Sequence, residues 1–201
     1  MQVLETPTKP LVSFSPLLRR YTLEQFLELA NPMDRSRYEL IGGYLFMVAP
    51  PDPPLDDLDT RLNKSLVGFV LNNDSPGEVY HPQAAIYLDD TYLEPDMMYL
   101  SNALRARMTE RRTSADIVFE YLSKSTRVYN QTTKADTYLA LGVRELWLID
   151  SDAQTIEVRH RIMKDNFPAW EGLVYGEGEW AESRILSGWR VAVDELFAGL
   201  A

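Results

Sequence analysis

The chain contains no cysteine, which excludes disulfides and thiolate metal sites and makes a cytoplasmic location the simplest expectation. Its only histidines, His81 and His160, lie far apart in sequence, so a histidine-based zinc site is not expected. Each reads as a surface residue or a satisfied core residue. No apolar run approaches the roughly 20 residues that span a bilayer, and residues 1–20 lack the basic start, apolar block and small-residue cleavage site of a secretory signal. A soluble protein is expected. Basic residues are outnumbered, 20 Lys and Arg against 30 Asp and Glu, for a formal charge of -10. That balance argues against a protein that coats nucleic acid by bulk attraction, although a local basic patch stays open. G-x-S-x-G, the phosphate-cradling G-x-x-x-x-G-K-[ST] and a dinucleotide fingerprint are all missing. Gly176-Glu177-Gly178 reads as a turn.

What is present fits one domain of 201 residues, with an arm over residues 1–20 and the domain over 21–201. Thr22 with Gln25 has the form of a capping box before a short helix that ends ahead of Pro32. Strand-like runs at Tyr38–Ile41 and Tyr44–Val48 flank Gly42-Gly43, a hairpin turn. A proline-rich loop over residues 49–54 precedes a helix with Leu58, Leu62, Leu66, Phe69 and Val70 on one face, ending near Asn72-Asn73. Val79–Leu88 reads as one strand, and a second includes Glu94–Leu100. Ile117–Leu122, a polar turn, a helix over Thr132–Leu141 ending at Gly142, and Leu146–Ile149 form a strand, helix, strand unit. Thr155–Ile162 alternates as a strand. Short strands over Trp170–Trp189 and a closing helix from Val193 complete the chain. The pattern predicts an α/β or α+β domain with a mixed central sheet. Tyrosine and tryptophan fall at strand positions and are assigned to the core rather than to base stacking.

One acid is out of place in that pattern. Glu120 lies within the apolar run Ile117–Leu122, and a buried carboxylate costs several kcal/mol unless paired, protonated or bound to a cation. Asp96 opens or interrupts another strand, Lys124 follows Glu120 in the turn, and Lys134 lies on the next helix. Two carboxylates on neighbouring strands offer the hard oxygen ligands that Mg²⁺ prefers, and a nearby lysine can stabilise charge on a phosphate. Taken singly, each residue also has a plainer reading. Asp96 fits a turn or cap, Glu120 a solvent-facing position on an edge strand, and Lys134 an exposed helical lysine.

The ordered series Tyr38-Glu39-Leu40-Ile41-Gly42-Gly43, Glu94-Pro95-Asp96, Phe119-Glu120-Tyr121-Leu122-Ser123 with Ser125-Thr126, Lys134 and Tyr138, then Gly142 to Asp150, resembles the Uma-type endonuclease family. That family is abundant in cyanobacteria and belongs to the PD-(D/E)XK nuclease superfamily; the resemblance covers about residues 20–160. It implies a restriction-endonuclease-like fold, a Mg²⁺ or Mn²⁺ cofactor, DNA phosphodiester hydrolysis and a homodimer. It assigns metal binding to Asp96 and Glu120 and makes Lys134 the activating or charge-stabilising lysine, because Leu122 stands where the superfamily lysine is expected. Glu39 completes the catalytic set, with Tyr138, Ser123 and Lys124 in support. Two departures stand out. The region Leu55-Asp56-Asp57-Leu58 lacks a histidine common in the family, and Asn130 replaces an aspartate. These departures, with the acidic charge, motivate an alternative: a catalytically inactive nuclease-fold module for binding or assembly. Arg105, Arg107, Arg111 and Arg112 read either as a solvated basic loop or as contacts to a DNA phosphate.

Overall fold

Thr22 and Gln25 exchange hydrogen bonds as a capping box should. Gln25 N–H donates to Thr22 Oγ1 at 3.2 Å and Thr22 N–H to Gln25 Oε1 at 3.1 Å, starting helix α1 (Leu23–Leu29). The computed structural model describes residues 19–29, 37–48, 54–73, 76–82 and 84–200, so residues 1–18 of the expected arm and 49–53 of the expected proline loop lie outside the described residues. Strands β1 (Arg37–Ile41) and β2 (Tyr44–Val48) form a hairpin about Gly42 and Gly43, whose φ values of 56° and 82° suit residues without a Cβ. Helix α2 (Pro54–Asn72) buries Leu55, Leu58, Leu62, Leu66 and Val70 along one face. Burial of each leucine stabilises the fold by roughly 1.5–3 kcal/mol.

Two expected strands are each divided. The run over residues 79–88 forms β3 (Gly77–Tyr80) and β4 (Ile86–Leu88), which belong to different sheets. Pro82 has no N–H for a ladder, and the chain turns there with Ala84 N–H donating to His81 O at 3.1 Å. Likewise β5 (Thr91–Leu93) lies in the smaller sheet and β6 (Met97–Ser101) in the larger, with Pro95 between them. Asp96 therefore precedes β6 at the crossover between sheets and does not lie within a strand. The Ser101 side chain caps the short helix α3 (Asn102–Arg105) by accepting from Leu104 N–H.

The central unit runs from β7 (Ile117–Leu122) through α4 (Arg127–Tyr129), a π-helical turn (Asn130–Lys134) and α5 (Ala135–Ala140) to β8 (Glu145–Asp150). β7 and β8 are parallel, with Ile117 opposite Glu145 and Leu122 opposite Asp150. A long hairpin, β9 (Thr155–Lys164) and β10 (Phe167–Tyr175), comes next, and then β11 (Trp180–Glu182), β12 (Arg190–Ala192) and α6 (Val193–Phe197). The large sheet has the order β10-β9-β8-β7-β6-β3, with β7–β8 as its parallel pair; the smaller one has the order β2-β1-β5-β4.

Alternation along β7 sorts its side chains between two cores. Ile117, Phe119 and Tyr121 pack with α2 and α6, while Val118 and Leu122 pack with Ala135 and Tyr138 of α5. Glu120 shares the second parity and so faces α5. The assignment of aromatics to the core holds for Phe119, Trp147 and Trp189, whose ring centroids lie 4.8 to 5.9 Å apart. It fails for Trp180 and Tyr44, each 43% exposed. Phe167, 73% exposed, opens β10, the last strand of the large sheet among the described residues.

Candidate active site

All six residues of β7 are buried, Glu120 among them, and the polar groups facing it come from the next helical segment. Glu120 Oε1 accepts a hydrogen bond from Tyr138 OH at 2.6 Å and lies 2.7 Å from Lys134 Nζ. Glu120 Oε2 has a sparser environment. Among the described residues it receives a 3.4 Å bond from Asn130 Nδ2, which lies the same distance from Tyr121 O.

The geometry of that segment depends on the π-turn. The sequence predicts a helix over 132–141; the helical path instead begins at Arg127 and widens at Asn130–Lys134 before returning to α-helix. A wider turn inserts a residue and rotates the side chains beyond it, a device frequent at functional sites. Thr132 Oγ1 and Thr137 Oγ1 donate to the carbonyls of Val128 and Thr133, at 2.5 and 2.7 Å. The Arg127 guanidinium grips Asp150 at the end of β8 and so pins the start of the segment to the sheet. Asn130 and Lys134 are both buried as a result, and the exposed-lysine reading of Lys134 is corrected. The edge-strand reading of Glu120 is corrected too, since β7 is interior to the sheet.

Glu39 reaches the same place from the smaller sheet. Its Oε1 lies 3.0 Å from Lys134 Nζ and accepts from Glu94 N–H at 3.1 Å; its Oε2 accepts from Tyr129 OH at 2.8 Å. Asp96 Oδ2 accepts from Tyr121 N–H at 2.8 Å, which ties the residue ahead of β6 to the strand bearing Glu120. Glu39, Asp96, Glu120, Lys134 and Tyr138 are thus brought together, although no interval in sequence connects the five.

The electrostatics stem from burial. Desolvation, with Asp96 and Glu39 nearby, pushes Glu120 up to about 8 against the pull of Lys134. Burial acts to lower Lys134, but Glu120, Glu39 and Asp96 outweigh it and hold the ammonium above the ordinary lysine range. Burial and Glu120 raise Tyr138, so its phenol remains a donor, and burial and Glu39 do the same for Tyr129. One ammonium faces three carboxylates, a deficit of positive charge.

Among the described residues no three His, Cys, Asp or Glu side chains form a ready-made metal cage. The donor chemistry nevertheless suits a hard divalent ion. Asp96 and Glu120 supply carboxylate oxygens, Glu120 Oε2 is only weakly engaged, and the local charge is negative.

Other expected residues are placed elsewhere. Lys124 is exposed in the turn, and Ser123 Oγ bonds Ser125 and Thr126 to shape that turn, so neither joins the cluster. In the arginine group, Arg105 and Arg112 flank the Tyr80 ring at 5.9 and 5.0 Å, and Arg111 lies 5.8 Å from the Tyr87 centroid. Arg105 also pairs with Glu78. Tyr80 packs on the same core as Tyr138, hence on the Glu120 side of the sheet. His81 lies 3.9 Å from Asp59, which accepts from Tyr121 OH, and His160 is buried against Glu145 at 3.3 Å, consistent with the surface and core readings. Tyr129 was not foreseen. It stands five residues before Lys134, a spacing that places residues on one side of a π-turn and not of an α-helix.

The sequence model of the Uma2 family, described as "Putative restriction endonuclease", matches residues 23–194. No curated protein sequence matches the chain. Among solved structures, a crystal structure described as a "putative nuclease belonging to DUF820" from Anabaena variabilis superposes with a TM-score of 0.72 at 20% identity, covering 90% of this chain and 99% of the other. At that identity the likeness establishes a shared fold, the restriction-endonuclease-like arrangement expected from the motifs.

Proposed function

The chain belongs to the Uma2 family of restriction-endonuclease-type proteins, and on that premise we propose that it is a cytoplasmic, divalent-metal-dependent endonuclease that hydrolyses DNA phosphodiester bonds through a single domain over residues 21–201. The observation that carries this reading is the contact of Lys134 Nζ with Glu120 at 2.7 Å, beside Asp96, which the Tyr121 N–H holds to the strand that bears Glu120. An ammonium and two carboxylates at adjoining strand ends make up the parts that phosphodiester hydrolysis needs.

Asp96 and Glu120 are the residues to hold Mg²⁺ or Mn²⁺, which when bound supplies Lewis acidity toward water and the phosphate. Lys134 orients the attacking water or offsets the charge that builds on phosphate oxygens. Tyr138 OH donates to Glu120 Oε1 and keeps it in place, so Oε2 would be the oxygen available to an ion. Arg105, Arg107, Arg111 and Arg112 supply phosphate contacts that carry no sequence information, and the two around Tyr80 support this by lying on the Glu120 side of the large sheet. The reading extends to a homodimer. Edge strand β10 supports it, because Phe167, Leu173 and Val174 are exposed there and, among the described residues, β10 is an outer strand of the sheet. Light scattering would test that part.

One observation favours the second reading, a nuclease fold kept for binding. Lys134 bridges Glu39 and Glu120, taking up charge that a metal ion would otherwise balance, and Asn130 gives the site no further carboxylate. Incubation of single-stranded, duplex and branched DNA with Mn²⁺ separates the two, with Lys134→Ala as control. Cleavage by wild type that the control loses supports hydrolysis. Calorimetric Mn²⁺ binding to neither wild type nor Asn130→Asp, with all DNA left intact, supports the binding module.

A further inference from the structure

Glu39 and Phe46 are cross-strand neighbours in the β1–β2 hairpin, and one side chain from the other part of the molecule meets both. The Tyr129 ring stacks on Phe46 with centroids 5.1 Å apart and planes 26° apart, while its hydroxyl donates to Glu39 Oε2 at 2.8 Å. Glu39 Oε1 is then left to accept from Lys134 Nζ and Glu94 N–H, at 3.0 and 3.1 Å. Glu39 is 3% exposed, and both of its oxygens are engaged by the protein.

We propose that Tyr129 is a positioning residue which, by holding Glu39 Oε2, fixes the Lys134 ammonium beside Glu120. Glu39 in this arrangement serves the lysine and is not a metal ligand. The contrast between the two glutamates supports the assignment. Among the described residues Glu120 Oε2 has a 3.4 Å contact from Asn130, whereas Glu39 Oε2 accepts a 2.8 Å bond from a phenol. Stacking on Phe46 and bonding to Glu39 are separable contributions, since phenylalanine at position 129 retains the ring and lacks the donor. Without the hydroxyl, a buried carboxylate oxygen loses its partner, and the carboxylate is free to turn and draw the ammonium away from Glu120.

The proposal rests on the hydrolase reading only for its activity measurement, so the full chain is tested in two ways. The ¹⁵N-labelled side-chain ammonium of Lys134, identified by its disappearance in Lys134→Met, should give a slowly exchanging signal in wild type. That signal should broaden or vanish in Tyr129→Phe while the variant remains folded at the temperature of the measurement. Its absence from wild type, or its persistence in the variant, would overturn the proposal. In Mn²⁺-dependent cleavage, Tyr129→Phe should lower kcat by about tenfold with KM nearly unchanged, and Tyr129→Phe combined with Glu39→Gln should be no slower than Glu39→Gln alone. Full activity in Tyr129→Phe, or losses that multiply in the double variant, would equally overturn it. Failure of wild type to cleave any DNA removes the hydrolase reading and leaves the ammonium signal to decide the role of Tyr129.

Discussion

Asp96 accepts the backbone N–H of Tyr121 at 2.8 Å, so the acid at the crossover between sheets is fixed to the strand that carries Glu120. Asp96 itself belongs to a non-strand segment that follows Pro95, so this bond couples two elements of different backbone conformation. Asparagine retains an oxygen that can accept the Tyr121 N–H; alanine does not. We expect Asp96→Ala to destabilise the protein by about 1–3 kcal/mol through a buried, unpaired N–H, with Asp96→Asn affected less. Both should weaken Mn²⁺ binding. Urea unfolding and calorimetry on the pair separate the structural role from the ligand role, and equal stability losses would refute the distinction.

Stability should vary with pH through Glu120. Its pKa is raised in the folded state from 4.5 to about 8, so between those values the folded protein binds more protons than the unfolded chain. Stability is then greatest below 4.5 as far as this group is concerned, and is lost as pH rises toward 8, by up to about 1.4 kcal/mol per pH unit. Glu120→Gln should flatten that decline. Parallel slopes for variant and wild type between pH 5 and pH 8 in metal-free buffer would contradict this account.

Lys134 is the counter-ion for Glu39 and Glu120 together. Lys134→Met therefore leaves two buried carboxylates facing each other. At pH 8 the loss should be on the order of 3–5 kcal/mol, as for other buried pairs that lose one partner. At pH 5 it should be smaller, because Glu120 can take up a proton. Chemical denaturation at the two pH values provides the check, and a pH-independent loss would argue against the pairing.

The arginine group makes a prediction about salt. Replacing Arg105, Arg107, Arg111 and Arg112 with glutamine should weaken duplex binding and reduce the slope of log K against log salt by about 0.9 for each phosphate contact removed. Arg112→Gln alone should also lower stability, because its Nε donates to Ala85 O at 3.1 Å. An unchanged salt slope in the quadruple variant returns the group to a solvated loop braced by Tyr80 and Tyr87.

Much of the scaffold was legible because local rules govern it. The Thr22–Gln25 cap, the Gly42-Gly43 turn, the leucine face of α2 and the strand, helix, strand unit all arise from short-range patterns. The errors have local causes as well. Pro82 and Pro95 each divide what periodicity alone joins into one strand, and the threonines of the π-turn gave no period to read. The exposure of Trp180 and Tyr44 was missed because an aromatic in a strand looks the same in sequence whether or not another element covers it.

Sequence by itself determined which residues required an explanation. A carboxylate in an apolar strand cannot be left bare, so Glu120 demanded a partner whatever the fold. It could not say which oxygens would be occupied. Only the tertiary structure decided that Lys134 lies between two glutamates from different sheets, that Tyr129 holds one of them, and that Lys124 and Ser123 stand apart. Those outcomes depend on how the smaller sheet meets a widened helical turn, an encounter between segments about 90 residues apart in sequence, beyond the reach of any local period.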